Sequence, residues 1–102
     1  MLCIGQENEI TWKRKFQVLY FYAAWMPFHQ KMMIMLEKVE QKFSNIDFFA
    51  IDVDYFKGLQ KRFNIQSIPT ILLFQDFKEV KRLTQRLSTQ DFIAVFGDIC
   101  IY

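Results

Sequence analysis

The chemically versatile residues of this chain concentrate near position 29, where its only histidine lies among methionines. Met26, His29, Met32 and Met33 fall within about two turns of a predicted helix. Thioether and imidazole ligands together suit Cu(I), so this spacing raises the hypothesis of a soft-metal site. Methionines at helical spacing more commonly fill a core or a groove, and no cysteine joins this set. We therefore predict no metal site and no cofactor here.

His29 is also the side chain here whose charge changes near neutral pH. Its place near the predicted start of a helix favours the neutral ring, because the positive end of the helix dipole disfavours an imidazolium. A proton-transfer role needs a partner, and no serine or cysteine is close to His29 in the sequence. We interpret His29 as a packed or partly exposed histidine without a catalytic role.

The residues just before His29 are all apolar. Trp25, Met26, Pro27 and Phe28 are consecutive and fall at a predicted strand-to-helix junction. An apolar patch exposed at such a junction more often marks a partner surface than an accident. Two interpretations stay open: an interface, or local packing in which Phe28 folds inward.

Length and composition indicate one ordinary domain. We assign all 102 residues to a single unit, because that length suits one core. Apolar residues make up 52% of the chain and include twelve phenylalanines, so burial is ample. No uninterrupted apolar stretch reaches the roughly eighteen residues of a membrane span, so we predict no membrane segment. The start, Met1-Leu2-Cys3-Ile4-Gly5, lacks the basic and long apolar regions of a signal peptide, which favours a cytoplasmic location.

Charge and cysteine content narrow the function classes further. The net charge is +2, and the basic residues are scattered over several predicted elements, so we predict no nucleic-acid binding. The aromatic residues are predicted to lie mainly in buried strands, unlike those of a single-strand binder. Cys3 and Cys100 lie near opposite ends of the chain, and in a reducing compartment both are free thiols.

Hydrophobic periodicity in the first half predicts strands that flank a helix. Phe16–Ala24 and Ile46–Val53 are almost continuously apolar, as strands covered on both faces are. Between them, Pro27 suits a first helical turn. Apolar residues then recur at helical spacing at Met32, Leu36, Val39 and Phe43. The polar segment Glu7–Lys15 is compatible with a helix, and Leu2–Ile4 suits a further short strand.

The second half predicts a short helix, a hairpin and a last helix. Asp54 is the predicted cap of the short helix, whose inner face is Phe56, Leu59 and Phe63. The hairpin consists of strand Thr70–Phe74, turn Gln75–Lys78 and edge strand Glu79–Leu83. Ser88-Thr89-Gln90-Asp91 has the pattern of a capping box, which predicts a helix with Phe92, Ile93 and Phe96 inward. The order β-α-β-α-β-β-α predicts an α/β fold with a central mixed β-sheet flanked by helices on both faces.

Two segments carry a resemblance to a known family. They are Val18-Leu19-Tyr20-Phe21-Tyr22-Ala23-Ala24-Trp25 and Ser67-Ile68-Pro69-Thr70, and about forty residues separate Trp25 from Ile68. Together they resemble the thioredoxin family: its central strand with the following tryptophan, and its cis-proline loop. The resemblance implies a thioredoxin-like fold over roughly Phe16 to Phe96 and a cis Ile68-Pro69 bond. It also implies a groove where the backbone of Ile68 pairs with an extended peptide.

The chain departs from the family where the family's chemistry takes place. The two redox cysteines of thioredoxins correspond here to Met26 and His29, and neither side chain exchanges with a disulfide. The buried acid and the lysine that tune the reaction correspond to Tyr20 and Ala50. Thiol–disulfide exchange at this site is therefore excluded by its chemistry.

Two glycines of the family are also replaced. The turn glycine corresponds to Phe77, where a positive φ strains a bulky residue, so we predict another geometry for that hairpin. The glycine beside the substrate groove corresponds to Gln85, which we expect to fill part of that groove.

The leading hypothesis is a redox-inactive thioredoxin-like domain that binds a partner protein through the former active-site face. The predicted contact residues are Trp25, Met26, Pro27, Phe28, His29, Ile68 and Pro69. A first alternative is a divergent thiol oxidoreductase that acts through Cys3 or Cys100. A second alternative is a structural subunit of a larger assembly, similar to the cysteine-poor thioredoxin-like proteins of the spliceosome.

Overall fold

The computed structural model describes residues 1–84 and 88–99, with the side chain of Ile99 left aside. Gln85 and Cys100, both of which carry predictions, lie outside the described residues. The elements are β1 (Leu2–Cys3), β2 (Phe16–Tyr22), α1 (His29–Glu40), β3 (Ile46–Asp52), α2 (Lys57–Arg62), β4 (Thr70–Gln75), β5 (Lys78–Leu83) and α3 (Thr89–Ile99). Their order is the predicted one, including the short first strand. Within these residues, no helix is long and apolar enough to cross a membrane.

The strands form one mixed sheet of five, in the order β1-β3-β2-β4-β5. Both β1 and β2 run parallel to β3, since α1 carries the chain back between β2 and β3. The hairpin strands β4 and β5 are antiparallel, and β4 pairs antiparallel with β2. The apolar strand β2 therefore lies in the centre of the sheet, where its side chains are buried on both faces.

Helices cover both faces of the sheet, as predicted. On one face, the ring of Phe96 in α3 lies 6.3 Å from that of Phe48 in β3 and 6.2 Å from that of Phe43, just beyond α1. On the opposite face, Phe63 at the end of α2 lies 5.8 Å from Phe21 of β2. Aromatic contacts thus join the sheet to helices on each side, and the thioredoxin-like α/β fold is confirmed.

The starts of the first two helices differ from the predictions. Helix α1 begins at His29, two residues after Pro27, with Phe28 at its N-cap position. Helix α2 begins at Lys57 and has Phe56 at its N-cap, so the prediction that Asp54 caps it is wrong. The carboxylate of Asp54 instead accepts a hydrogen bond from the indole Nε1 of Trp25, at 3.2 Å.

Two other local predictions have opposite outcomes. The capping box of α3 is confirmed: Ser88 Oγ accepts from the backbone N–H of Asp91 at 3.1 Å, and the Asp91 carboxylate accepts from the N–H of Ser88 at 3.3 Å. The helix-compatible segment Glu7–Lys15 forms only a 3₁₀ turn at Glu7–Glu9. Few apolar anchors and no long amphipathic face explain why it does not extend.

The hairpin between β4 and β5 contradicts the prediction that Phe77 avoids a positive φ. Asp76 has φ of 50° and Phe77 of 69°, so both central residues are left-handed. Because Gln75 pairs with Lys78, only two residues close the hairpin, and tight type I′ turns require φ > 0 at both central positions. A left-handed bulky residue costs about 1–2 kcal/mol. The close pairing of the strands is thus retained at the expense of strain at Phe77.

Candidate functional site

The sheet brings the two family-like segments to the same end of the molecule. Strand β2 ends at Tyr22 and leads into Trp25, while β4 begins at Thr70, whose Cα is paired with that of Phe21. The loop before Thr70 therefore lies beside the end of β2. The Ile68–Pro69 bond in this loop is cis, as predicted. Ile68 is half-buried and Pro69 is buried.

Trp25 is exposed but held in place. Its side chain is 70% exposed, which is unusual for so large an apolar ring. Its indole N–H donates to Asp54 Oδ2 at 3.2 Å, across the gap between the segments that follow β2 and β3. Pro27, two residues further on, is also exposed. The indole is thus an apolar surface with a fixed polar anchor, as in many binding sites.

Met26 does not belong to this exposed surface, and the prediction of an exposed patch is wrong for this residue. Its side chain is only 6% exposed and belongs to the hydrophobic core. A tight turn orients it: the Met26 N–H donates to the Ala23 carbonyl at 3.0 Å, and the His29 N–H donates to the Met26 carbonyl at 3.2 Å. Phe28 is half-buried and packs against the core, which favours local packing for that residue.

His29 lies against two tyrosines of β2. Its Nδ1 is 3.1 Å from Tyr20 Oη, so the two side chains share a hydrogen bond. Its ring also stacks on Tyr22, with centroids 4.2 Å apart and planes 9° apart. This contact joins the position of the family's second cysteine to that of its buried acid. Sequence reasoning considered the two positions separately, although Tyr20 and Tyr22 are two residues apart and so project from one face of the strand.

The environment keeps the three rings uncharged near neutral pH. Burial lowers the pKa of His29, against an opposing contribution from the Asp52 carboxylate. The predicted preference for a neutral ring is confirmed in direction, but burial is its main cause. Burial also raises the pKa of Tyr20 and of Tyr22. The site therefore presents a neutral imidazole between two phenols.

This arrangement supplies hydrogen bonding but no nucleophile at the loop. Met26 is a buried thioether, and Nδ1 of His29 already has Tyr20 as its partner. Within residues 1–84 and 88–99, no three His, Cys, Asp or Glu side chains are grouped so as to hold a metal ion. Of the methionines considered as copper ligands, Met26 and Met32 are both buried in the core.

Among the residues that the structure describes, Cys3 is the cysteine near this site. It is a free, exposed cysteine on β1, with its Cα paired with that of Ala50. Ala50 is in turn paired with Tyr20, so the thiol projects from the same face of the sheet as the tyrosines. Ala50, which corresponds to the lysine of the family, is buried.

Comparisons with known proteins agree with this geometry. The Thioredoxin family model matches residues 6–97. Thioredoxin H2 of Arabidopsis thaliana is 32% identical over 76 residues, which cover 74% of this chain and 57% of that protein. Thioredoxin-1 of Saccharomyces cerevisiae is 32% identical over 69 residues, 68% of this chain and 67% of that one. The solved structure of a malaria parasite thioredoxin-2 superposes with a TM-score of 0.79 at 26% identity, covering 89% of each chain. The chain thus spans just over half the length of thioredoxin H2.

Proposed function

Since this chain belongs to the thioredoxin family, we propose that it is a member without disulfide-exchange activity that binds a partner protein. The contact surface, called here the loop face, comprises Trp25, Pro27, Phe28, His29 and Ile68. Met26 and Pro69, which are both buried, support this surface from beneath. One observation carries the proposal: the two positions that hold cysteines in the family are a buried methionine and a tyrosine-bonded histidine, beside a tryptophan that stays exposed.

The chemical part of the proposal depends on what Met26 and His29 lack. Disulfide exchange begins when a thiolate attacks a disulfide sulfur and forms a mixed disulfide. A thioether forms no thiolate, and an imidazole moves protons but bonds to no sulfur in this reaction. The neutral, hydrogen-bonded His29 also supplies no positive charge that could activate another thiol.

The binding part depends on the surface that the fold retains. Trp25 presents a large apolar area while Asp54 fixes its orientation, so little side-chain freedom is lost when a partner covers it. Aromatic residues of this kind are common hot spots of protein interfaces. The half-buried Ile68 lies on the loop at the same end of the sheet, and its backbone groups suit an extended peptide.

Insulin-disulfide reduction tests the chemical part. We expect no turnover above background with dithiothreitol as electron donor. Replacement of Cys3 and Cys100 by serine provides the control. Turnover that survives both replacements would overturn the proposal, whereas turnover lost on replacement would favour the oxidoreductase alternative.

Site-specific photo-cross-linking tests the binding part. A benzoylphenylalanine at position 27 on the loop face is compared with one at position 38, on the exposed side of α1. We expect a discrete adduct from native extract with the probe at position 27, and none with the probe at 38. The adduct should weaken strongly in a Trp25→Ser background. Equal labelling from both positions would show that the loop face has no special role.

The oxidoreductase alternative has one observation in its favour. Cys3 is an exposed thiol on the face of the sheet that carries Tyr20 and Tyr22. Alone, such a thiol forms a mixed disulfide and needs a second thiol, such as glutathione, to resolve it. An exposed free cysteine is also compatible with a reducing compartment, and we propose a cytosolic location. Imaging of the tagged chain in its native cells tests that location.

The assembly alternative also has an observation in its favour. The malaria parasite thioredoxin-2 that shares this fold is a component of that parasite's protein secretion machinery. A thioredoxin fold is therefore compatible with a place in a larger complex. Size-exclusion chromatography of a native extract distinguishes a free binder from a permanent subunit, because only the subunit elutes entirely at high mass.

A further inference from the structure

A second concave surface lies at the end of the sheet opposite the loop face. It is a cavity of about 360 Å³, called here the aromatic groove, lined by Trp12, Arg62, Phe63, Phe74 and Phe77. The hairpin turn that carries Phe77 adjoins the start of β2, because Gln75 is paired with Phe16. Strand β2 separates this end from Trp25 by about 20 Å, given the rise of roughly 3.3 Å per residue. The aromatic groove is therefore distinct from the loop face.

The floor of the groove is made of packed aromatic rings, and one wall projects into solvent. Trp12 packs edge-on against Phe74 with ring centroids 5.1 Å apart, and Phe63 packs against Phe74 at 5.8 Å. Phe77 is 74% exposed, and its ring centroid is 6.4 Å from that of Trp12. A side chain that enters the groove thus meets the packed rings of Trp12, Phe63 and Phe74 beside the projecting ring of Phe77.

The exposed ring of Phe77 is not explained by local folding. Its φ of 69° suits glycine or asparagine far better than a bulky residue. The ring gains only the contact with Trp12 and leaves most of its area in water. A large apolar side chain at a strained and exposed position points to contact with something outside this chain.

One basic side chain lines the groove. The guanidinium of Arg62 lines the cavity, 5.3 Å from the ring centroid of Phe63. Among the described residues, no salt bridge involves Arg62. The groove therefore has one positive charge that no carboxylate of the described residues neutralises.

We propose that the aromatic groove binds an acidic peptide segment of a partner protein. One Phe, Leu or Trp side chain of the peptide packs in the groove against Trp12, Phe74 and the projecting ring of Phe77. A flanking Asp or Glu residue pairs with the guanidinium of Arg62. A single-stranded nucleic acid suits the groove less well, because successive bases need a row of exposed ring faces and here one ring projects.

Selection from a display library of random dodecapeptides tests the chemistry of the occupant. The full chain is immobilised through a C-terminal tag, which leaves its lysines unmodified. We expect enriched peptides that combine one aromatic or leucine residue with flanking acidic residues. An enriched peptide is then synthesised and its affinity measured by calorimetry at low and at physiological salt, where we expect weaker binding at the higher salt.

Variants connect the binding to the groove. Phe77→Gly removes the projecting ring and relaxes the backbone, so we expect at least tenfold weaker binding with an unreduced melting temperature. Arg62→Glu should weaken binding at least as much. Lys57→Glu, on the same helix but outside the groove, and Tyr55→Ser, an exposed aromatic residue elsewhere, are the matched controls and should leave affinity unchanged. Trp25→Ser should also leave it unchanged, which separates this surface from the loop face.

Several results would overturn the proposal. They are a lack of enriched peptides, enrichment of neutral or basic sequences, and binding that Phe77→Gly and Arg62→Glu leave intact. Two further measurements address other occupants. Sedimentation that shows dimers of this chain lost on Phe77→Gly would assign the groove to a second copy. Binding of an oligothymidylate probe that competes with the peptide, with at least its affinity, would assign it to nucleic acid.

Discussion

Tyr20 Oη and His29 Nδ1 lie 3.1 Å apart, which joins the centre of the sheet to the first residue of α1. Tyr20 is fully buried and His29 is half-buried, so the bond connects the core to the surface of the loop face. Tyr22 adds a stacked ring on the same imidazole. The orientation of His29 is therefore fixed by β2 as well as by its own helix.

Tyr20→Phe should lower the free energy of unfolding by about 1 kcal/mol, the usual net contribution of such a hydrogen bond. Tyr22→Phe keeps the stacked ring and should cost less. Urea denaturation measures both. A double-mutant cycle with His29→Leu isolates the coupling, and a coupling energy near zero would show that the bond contributes nothing to stability.

Acidification should destabilise the fold through His29. Burial lowers the pKa of His29 in the folded chain below its ordinary value near 6.5, so the unfolded chain binds more protons just below neutrality. The free energy of unfolding should thus decrease as pH falls from 7 to 5.5, and this contribution is absent in His29→Gln. The difference between the two pH profiles is the measurement. Parallel profiles for wild type and His29→Gln would contradict the prediction.

Met26→Asp should reduce the stability of the fold by about 3 kcal/mol or more, since it places a carboxylate in the core. Met26→Leu, of similar volume, should cost less than about 1.5 kcal/mol. Gln30→Asp introduces the same charge at an exposed position nearby and should be nearly neutral. Thermal denaturation of the three variants is the test. A stable Met26→Asp protein would place Met26 on the surface after all.

Arg82 should stabilise the junction of α2 and β5. Its guanidinium donates to both carboxylate oxygens of Glu79 at 2.8 Å and to the carbonyls of Phe63 and Asn64, just beyond α2. The hydrogen bond from Arg82 lowers the pKa of Glu79. We expect Arg82→Ala to cost about 1–2 kcal/mol, because helix-terminal carbonyls lose their donors. Lys81→Ala is the exposed control, and equal costs for the two variants would refute this role.

The fold was predictable because its pattern is local. Apolar runs such as Phe16–Ala24 identify buried strands, and the Ser88–Asp91 pair identifies a helix start without knowledge of the rest. The errors arose where a tertiary partner decides the outcome. Asp54 is of a residue type that often caps helices, but its carboxylate accepts a hydrogen bond from Trp25, which is distant in sequence. A phenylalanine is unfavourable at the left-handed position that Phe77 occupies, but the pairing of β4 with β5 imposes the turn.

The candidate site was predictable in position but not in detail. The spacing of Trp25 and Ile68-Pro69 located it at one end of the sheet. The side chain of Met26 points into the core because of a tight turn, which hydrophobic periodicity does not predict. Met26 is therefore buried and not part of the predicted surface. The partner of His29 was Tyr20, nine residues earlier, which a search among neighbouring serines and cysteines does not find.

The two tryptophans of this chain lie at opposite ends of β2, one in the aromatic groove and one on the loop face. Trp12 is packed against Phe74, while Trp25 is mostly in water, so their fluorescence spectra should differ in emission maximum. Trp25→Phe leaves an intrinsic optical reporter at the groove, and Trp12→Phe leaves one at the loop. The natural sequence thus supplies separate spectroscopic labels for two surfaces, and no extrinsic dye is needed to tell which of them a ligand occupies.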